Sequence, residues 1–309
     1  MDTVFTVLPS ESWKGVANEL TSTAKSAQET FQSLDFGGIE AHISRLRHGP
    51  AAKISDNFTN GSWNLIIEIV FEDNVVWITR IRLSKELPAH ERVMFENEVH
   101  VMQIIRSRTT IPVPEVYSWG SGKDNVFGAP FILMQGIPGR NFCNDPCFDL
   151  MKYKVLDQMA SILIQLSLVR LPAIGSLNDG DHVSFILVDG KPAGPFTSGA
   201  EYYRQFVSCY EKRAEQVIDE NDRNQMLSTS ALYRFTAIPH FTRASGPFPM
   251  TLVDFGLHNL LINDVGDVLA VIDWSNSRVA PWESFAVFPL PISVVWTRKP
   301  NTLRRSGND

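Results

Sequence analysis

The chain has 309 residues, 44% of them hydrophobic and 20% charged, and a net charge of −6. That length leaves room for two lobes or one large domain with an ample core. The mild acidity argues against general nucleic-acid binding, which depends on neutralising phosphates, and is compatible with a cationic small-molecule partner. Cys143, Cys147 and Cys209 form no paired framework, as expected of a reducing compartment. Cys143 and Cys147 lack the further ligands that a metal site would need and read as ordinary thiols. Met1 to Ser10 has neither the basic start nor the apolar run of a secretory signal. No apolar run reaches the roughly 18 residues of a membrane span. A cytoplasmic location with no membrane partner is the expectation.

Residues 11–34 are polar with scattered apolar positions and predict one or two surface helices, the first capped by Ser10 or Ser12. From Gly61 the texture changes. Residues 63–71 (WNLIIEIVF) and 75–83 (VVWITRIRL) are rich in β-branched and aromatic side chains, with the turn-forming Glu72-Asp73-Asn74 between them, which predicts a hairpin. Pro88 precedes a helix over about 90–106, with Met94, Val101 and Ile105 at helical spacing. Thr110-Ile111-Pro112-Val113-Pro114 ends it, because proline restricts the residue before it. Strands near 113–119 and 130–134 follow. Gln135–Gly139, with two glycines and a proline, reads as a lobe junction.

Beyond the junction the pattern turns helical. Residues 150–169 carry Leu150, Met151, Tyr153, Val155, Leu156, Met159, Ile162, Leu163 and Leu166, a wide apolar face that predicts a buried helix. A Gly-, Asp- and Pro-rich loop over 172–198 and a helix over 201–218 come next. Residues 260–263 and 268–273 form a second predicted hairpin. Asp264 and Asp267 flank Gly266 in its turn, where turn chemistry explains them. The expected architecture is therefore α+β in two lobes. A β-rich N-terminal lobe spans 1–135 with a helical extension over 1–55, and a helical lobe spans 136–309 with a disordered polar tail from about 297.

The residues that bear on chemistry are Asp254, Asn259 five positions later and Asp273 nineteen positions after the first. Phosphoryl transfer of the protein-kinase kind uses a carboxylate facing the acceptor hydroxyl, with an amide and a second carboxylate holding magnesium, at about this spacing. Asp254 fits the first role, and Asn259 and Asp273 offer magnesium the hard oxygen donors it prefers. Taken singly, Asp254 could equally be a loop or capping residue and Asn259 a turn former. Asp273 ends a very apolar strand, where a carboxylate is costly to bury unless it is paired or bound to metal. Upstream, Arg80 is the candidate phosphate contact on the second strand, with Arg82 its rival on the same face. Glu98 is the candidate helix partner of Arg80, since Glu96 would point elsewhere. The plain alternative for Arg80 and Glu98 is a surface ion pair of little worth. Gly61 and Ser62, ahead of the hairpin, read as a thin glycine-containing phosphate loop or as a plain turn. Gln135 at the junction completes the candidate nucleotide contacts.

Asp254-Phe255, Asn259 and Val271-Ile272-Asp273-Trp274 resemble the aminoglycoside phosphotransferase and choline kinase-like group of kinase folds, most closely its fungal phosphotransferase-like members. Thr110–Pro114, Gly128-Ala129-Pro130-Phe131 and Ala280-Pro281-Trp282-Glu283 look like further landmarks of that group. The resemblance runs from about Gly61 to Pro289. It implies a two-lobed protein-kinase-like fold and use of ATP and Mg2+ to phosphorylate a hydroxyl of a small molecule. Asp254 would be catalytic, Asn259 and Asp273 metal-binding, and Arg80, in place of the usual lysine, would pair with Glu98. Two departures stand out. Leu252 occupies the position of a histidine that usually supports the catalytic loop. The chain also closes with Trp296-Thr297-Arg298-Lys299 and a polar tail where further helix is usual. These departures motivate the alternative of a pseudokinase that binds nucleotide or acts as a scaffold. A protein kinase fits less well, because Ala280-Pro281 lies too soon after Asp273 for an activation segment. Trp274, Trp282 and Phe285 read as core, and Glu283 as an ion-pair partner or the face of a cationic acceptor site.

Overall fold

A computed structural model describes residues 8–10, 13, 21–142, 148–241 and 245–286. Two amphipathic helices come first, α1 (Ser22–Gln32) and α2 (Phe36–Leu46). Thr21 caps α1 by accepting from the Ala24 amide, and Asp35 caps α2 by accepting from Gly38. Then come β1 (Ala52–Asn60), β2 (Asn64–Phe71), β3 (Val76–Arg82), α3 (Ala89–Arg108), β4 (Val116–Gly120) and β5 (Phe131–Gln135). The strands form one antiparallel sheet in the order β1-β2-β3-β5-β4. The expected first hairpin is thus β2–β3, closed by Asn74 at a φ of 61°. A strand before it, β1, was not expected. It starts inside the stretch predicted as helical to residue 55, and it makes Gly61-Ser62 the β1–β2 turn rather than the mouth of the first strand.

Side-chain alternation assigns the two faces of the sheet. Leu65, Ile67, Ile69 and Phe71 of β2 pack with Ala27, Ile39 and Ile43 of the two leading helices. The opposite face carries Ile66 and Glu68 of β2. They lie beside Arg80 and Ile78 of β3, and Ile132 of β5 pairs with Arg80. On that face Ile132 meets Phe95 and Val99 of α3. Arg80 therefore faces α3 because it is two residues from Ile78 and two from Arg82 on a strand whose other face is committed to the leading helices.

After β6 (Arg140–Asn141) the chain enters α4 (Phe148–Leu168), followed by β7 (Arg170–Leu171). The loop expected over 172–198 contains four short strands, β8 (Ser176–Leu177), β9 (Val183–Ser184), β10 (Ile186–Val188) and β11 (Lys191–Ala193), paired as two small hairpins. Helix α5 (Gly199–Ala214) ends earlier than predicted. It is followed by α6 (Glu220–Leu232), which the sequence pattern did not single out and which runs on into a π-helical turn, Tyr233–Ala237. Then come β12 (Phe248–Thr251), β13 (Leu260–Ile262), β14 (Val268–Val271), β15 (Arg278–Val279) and α7 (Trp282–Phe285). They give two three-stranded sheets, β15-β12-β7 and β14-β13-β6.

The main core runs from Val101 and Ile105 of α3 through Val155, Met159, Ile162 and Leu166 of α4 to Phe248, Met250 and Trp274. Only one stripe of α4 is buried. Leu150 is 85% exposed and Tyr153 62%, so the wide apolar face expected of this helix is narrower in fact. The wholly buried Trp274 confirms its reading as core, and Trp282 and Phe285 pack against the same cluster. Cys209 is a half-buried free thiol. Cys143, Cys147 and the tail from 297 lie outside the described residues. Among the described residues no helix is long and apolar enough to cross a membrane.

Candidate active site

The strand β12 ends at Thr251, and the chain turns through Asp254 into a 3-10 turn over Leu257–Asn259 before β13. Leu252 is 5% exposed and belongs to the main core, so the residue at the expected histidine position anchors this loop by apolar packing. A different histidine reaches the carboxylate. His258 Nε2 lies 3.1 Å from Asp254 Oδ2, four residues back along the turn. Sequence pattern alone does not point to His258. The 3-10 turn folds position 258 back over 254, a contact that helical spacing on a loop does not announce. The Asp254 side chain is 63% exposed, open to an incoming molecule.

Asn259 is 5% exposed. Its Nδ2 donates to the Asp254 carbonyl at 2.9 Å, which commits the amide nitrogen, and among the described residues Oδ1 accepts from no donor. The Asn259 carbonyl accepts from the Ile272 amide at 2.9 Å, and the ladder beyond it pairs Leu260 with Val271. Asp273, one residue past that bond, is thereby held beside Asn259. Asp273 has a φ of 57°, in the left-handed region that Asp and Asn tolerate better than most residues. Its Oδ1 accepts from the Ser275 hydroxyl and from the Ser275 amide at 3.4 Å, which locks the turn.

The sheet supplies the other wall. Arg80 Nη2 donates to Glu98 Oε2, and Arg80 Nη1 stands 4.0 Å from Asp273 Oδ1. The Arg80 and Glu98 side chains are 14% and 3% exposed, so this is a buried pair and not the surface pair weighed as its alternative. Burial works against the Arg80 charge, but the Glu98 carboxylate outweighs it and holds the guanidinium's pKa above its ordinary value. Burial pulls Arg82 the other way, and the like charge of Arg80 adds to the effect. Arg82 lies over the Phe95 ring, 5.7 Å from its centroid. Glu96 points away and accepts from Ser121 at 2.6 Å.

Asn97, next to Glu98, fixes the helix. It is fully buried, donates to the Ser277 carbonyl at 2.8 Å and accepts from the Leu177 amide at 2.6 Å. These two bonds staple α3 to the second lobe just past Asp273. A polar residue on the buried side of α3, beside Phe95 and Val101, was the signal that could have found it.

The remaining candidates sit apart from this group. Gly61 and Ser62 are exposed at the β1–β2 turn, where the Gly61 amide donates to the Asn64 carbonyl at 3.0 Å. Among the described residues no hydrogen bond or ion pair joins them to Arg80, Glu98 or Asp273. Gln135 closes β5 onto β4, exchanging backbone and side-chain bonds with Glu115. The next residue, Gly136, passes so close to β3 that a Cβ would stand 2.7 Å from the Val76 carbonyl, which requires glycine. On the cleft face of the sheet, buried Glu68 accepts from the Ser10 amide at 2.8 Å and the Ser10 hydroxyl at 2.7 Å. Ser10 thus bonds β2, while Ser12 and most of the stretch that either serine would cap, residues 14–20, lie outside the described residues.

Asn259 and Asp273 form a set of hard oxygen donors, an amide and a carboxylate, of the kind magnesium accepts while keeping waters and phosphate oxygens as its other ligands.

An antiparallel sheet lobe, a helix tied to it by a buried Arg–Glu pair, and a second lobe carrying Asp254, Asn259 and Asp273 define a kinase-like phosphotransferase fold. The chain belongs to the phosphotransferase enzyme family, whose model matches residues 72–284. Among solved structures it is similar to the thermostable aminoglycoside phosphotransferase APH(4)-Ia in complex with ADP and hygromycin B. That match has 14% identity and a TM-score of 0.52, over 79% of this chain and 73% of the other. It is also similar to a Thermobifida fusca structure assigned as a fructosamine-3-kinase, with 15% identity and a TM-score of 0.52 over 78% and 74%. At such identities the likeness speaks for the fold alone. Among curated proteins, the clavilactone A biosynthesis cluster protein Y of Ampulloclitocybe clavipes is 26% identical over 77% of this chain. A subtelomeric hrmA-associated cluster protein of Aspergillus fumigatus is 28% identical over 38% of it. The chain spans 64% of the length of the first and 23% of the second.

Proposed function

We propose that this protein transfers the γ-phosphoryl group of ATP, with Mg2+, to a hydroxyl of a small molecule. The observation that carries the reading is the meeting of the two lobes. The guanidinium of Arg80, buried against Glu98, comes within 4.0 Å of Asp273, whose neighbour across the ladder is Asn259.

In this reading Asp254 orients the acceptor hydroxyl and takes its proton as the oxygen attacks phosphorus. His258, at 3.1 Å, holds the Asp254 carboxylate in place. Arg80 binds phosphate oxygens with its second face, while Glu98 fixes its fork. Arginine offers bidentate geometry here where lysine would offer a point charge. Asn259 Oδ1 and Asp273 would hold the magnesium, which when bound neutralises charge across the nucleotide phosphates. At the β1–β2 turn Gly61 bonds its own amide to Asn64, so in this reading the Ser62 amide and hydroxyl would approach those phosphates, and Gln135 at the junction would border the nucleotide. The nucleotide complexes of similar folds, with ADP for APH(4)-Ia, support nucleotide use.

The test is turnover of ATP and magnesium by purified protein across a panel of hydroxylated small molecules, amines included. Absence of both acceptor phosphorylation and ATP turnover refutes the reading. Burial of Leu252 at the usual histidine position favours a second reading, a module that binds nucleotide without transfer. That reading expects nucleotide to raise the unfolding temperature equally in the native chain and in Asp254→Ala. Loss of a measured transfer activity in Asp254→Ala ends it.

A further inference from the structure

Between α5, α6, β15 and α7 lies a cavity of about 360 Å3, within the size range of small-ligand sites. Tyr202, Tyr203 and Tyr233 form an aromatic wall. The Tyr202 and Tyr203 rings meet edge to face at 5.2 Å, and Tyr203 stacks on Tyr233 at 5.5 Å. Arg278 and Glu283 also line the cavity, as does Ser230. Each contributes an orphaned buried atom, Arg278 Nε, Glu283 Oε2 and Ser230 Oγ. Among the described residues neither Arg278 nor Glu283 has an ion-pair partner, and the two do not pair with each other.

Charges left without partners in a partly desolvated wall are costly, and a structure keeps them where something else completes them. The α5 N-terminus, where a Cβ on Gly199 would lie 3.7 Å from Glu283 Oε2, offsets only part of that cost for Glu283 and none for Arg278. Burial raises the pKa of both the Tyr202 and the Tyr203 phenol, that of Tyr203 to about 12, so both are neutral donors at ordinary pH.

We infer that this cavity binds a zwitterion, an amine and a carboxylate carried on one body, with the carboxylate on Arg278 and the ammonium on Glu283 and the tyrosine faces. Arginine suits a carboxylate through its two-pronged donors, and aromatic faces beside a carboxylate suit an ammonium. Arg278 pairs with Thr251, three residues before Asp254 on the strand that leads into it. Resting on the phosphotransferase reading, the zwitterion is the acceptor, and its hydroxyl points along that strand end.

The test uses calorimetry and ATP turnover on the full chain with two matched sets of hydroxylated probes. One set is tyrosine, tyramine and hydroxyphenylpropionate, and the other is homoserine, aminopropanol and hydroxybutyrate. In at least one set the zwitterion is expected to bind about tenfold tighter than either analogue lacking one charge. Glu283→Gln should level it with the acid, and Arg278→Gln should level it with the amine. Equal affinity for the amine and the zwitterion overturns the inference. So does failure of both zwitterions to bind, or a ranking that survives both substitutions while only the unfolding temperature falls. Zwitterion binding without ATP turnover keeps the cavity assignment and refutes phosphoryl transfer. Turnover that is insensitive to Arg278→Gln and Glu283→Gln does the opposite.

Discussion

Removing Glu98 separates a structural pair from a functional one. Glu98→Ala leaves the Arg80 guanidinium buried, 14% exposed, with its nearest remaining carboxylate, that of Asp273, 4.0 Å away. Breaking a buried pair from one side costs about 3–5 kcal/mol. The surviving Asp273 contact puts this case at the low end, about 3 kcal/mol. For a chain of this size that corresponds to a Tm lowered by roughly 6 °C. Replacing both partners with apolar side chains of similar volume, Arg80→Met with Glu98→Leu, removes the stranded charge and should recover most of that stability. It should not recover transfer, because the cation that meets phosphate is gone. Urea unfolding of the native, single and double variants, with ATP turnover measured on each, gives both readouts. A Glu98→Ala loss below about 1 kcal/mol would mean that water screens the pair. Full turnover in the double variant would remove Arg80 from the phosphate site.

Asp254→Asn should lower transfer by a factor of about 100 to 10,000 while nucleotide affinity, read by titration calorimetry, stays nearly unchanged. Asp273→Asn, which tolerates the φ of 57°, should fold normally and lose the magnesium dependence of nucleotide binding. Asp273→Ala should lose the same dependence and also about 1 kcal/mol of stability. Asn97→Ala strands the Ser277 carbonyl and the Leu177 amide and should cost about 2 kcal/mol or more in unfolding. Tyr203, raised to about 12 by burial, contributes stability that is complete below its unfolded pKa near 10 and lost as pH rises toward 12. Burial raises the Tyr202 phenol as well, so an ultraviolet titration should find up to two tyrosinates fewer below the alkaline unfolding transition than in unfolded chain, and Tyr203→Phe should reduce that difference by one.

Much of the fold was legible because local pattern and tertiary use agree. The β-branched run over 64–71 could only be strand, and its turn at Asn74 was written in Glu72-Asp73-Asn74. Strand β1 escaped because its sequence, AKISDNFTN, mixes polar residues with a register shift between Ile54 and Phe58. Helix α6 escaped because it has almost no apolar side. Its faces are set by α5 and the tyrosine cluster, not by periodicity.

The sequence by itself determined the class of fold and the three acidic and amide side chains worth watching, since spacing along a chain limits which residues a hairpin and its loop can bring to one end. Only the tertiary structure decided between Arg80 and Arg82, because both point to one face and it is Glu98, buried on the side of α3 that meets the sheet, that pairs with Arg80. It alone brought His258 to Asp254, tied Asn97 to Ser277, and gathered Arg278, Glu283 and the tyrosines from four separate segments into one cavity. Contacts between residues far apart in the chain depend on how lobes and helices dock, and docking is fixed by the summed burial of many side chains and not by the identity of any few.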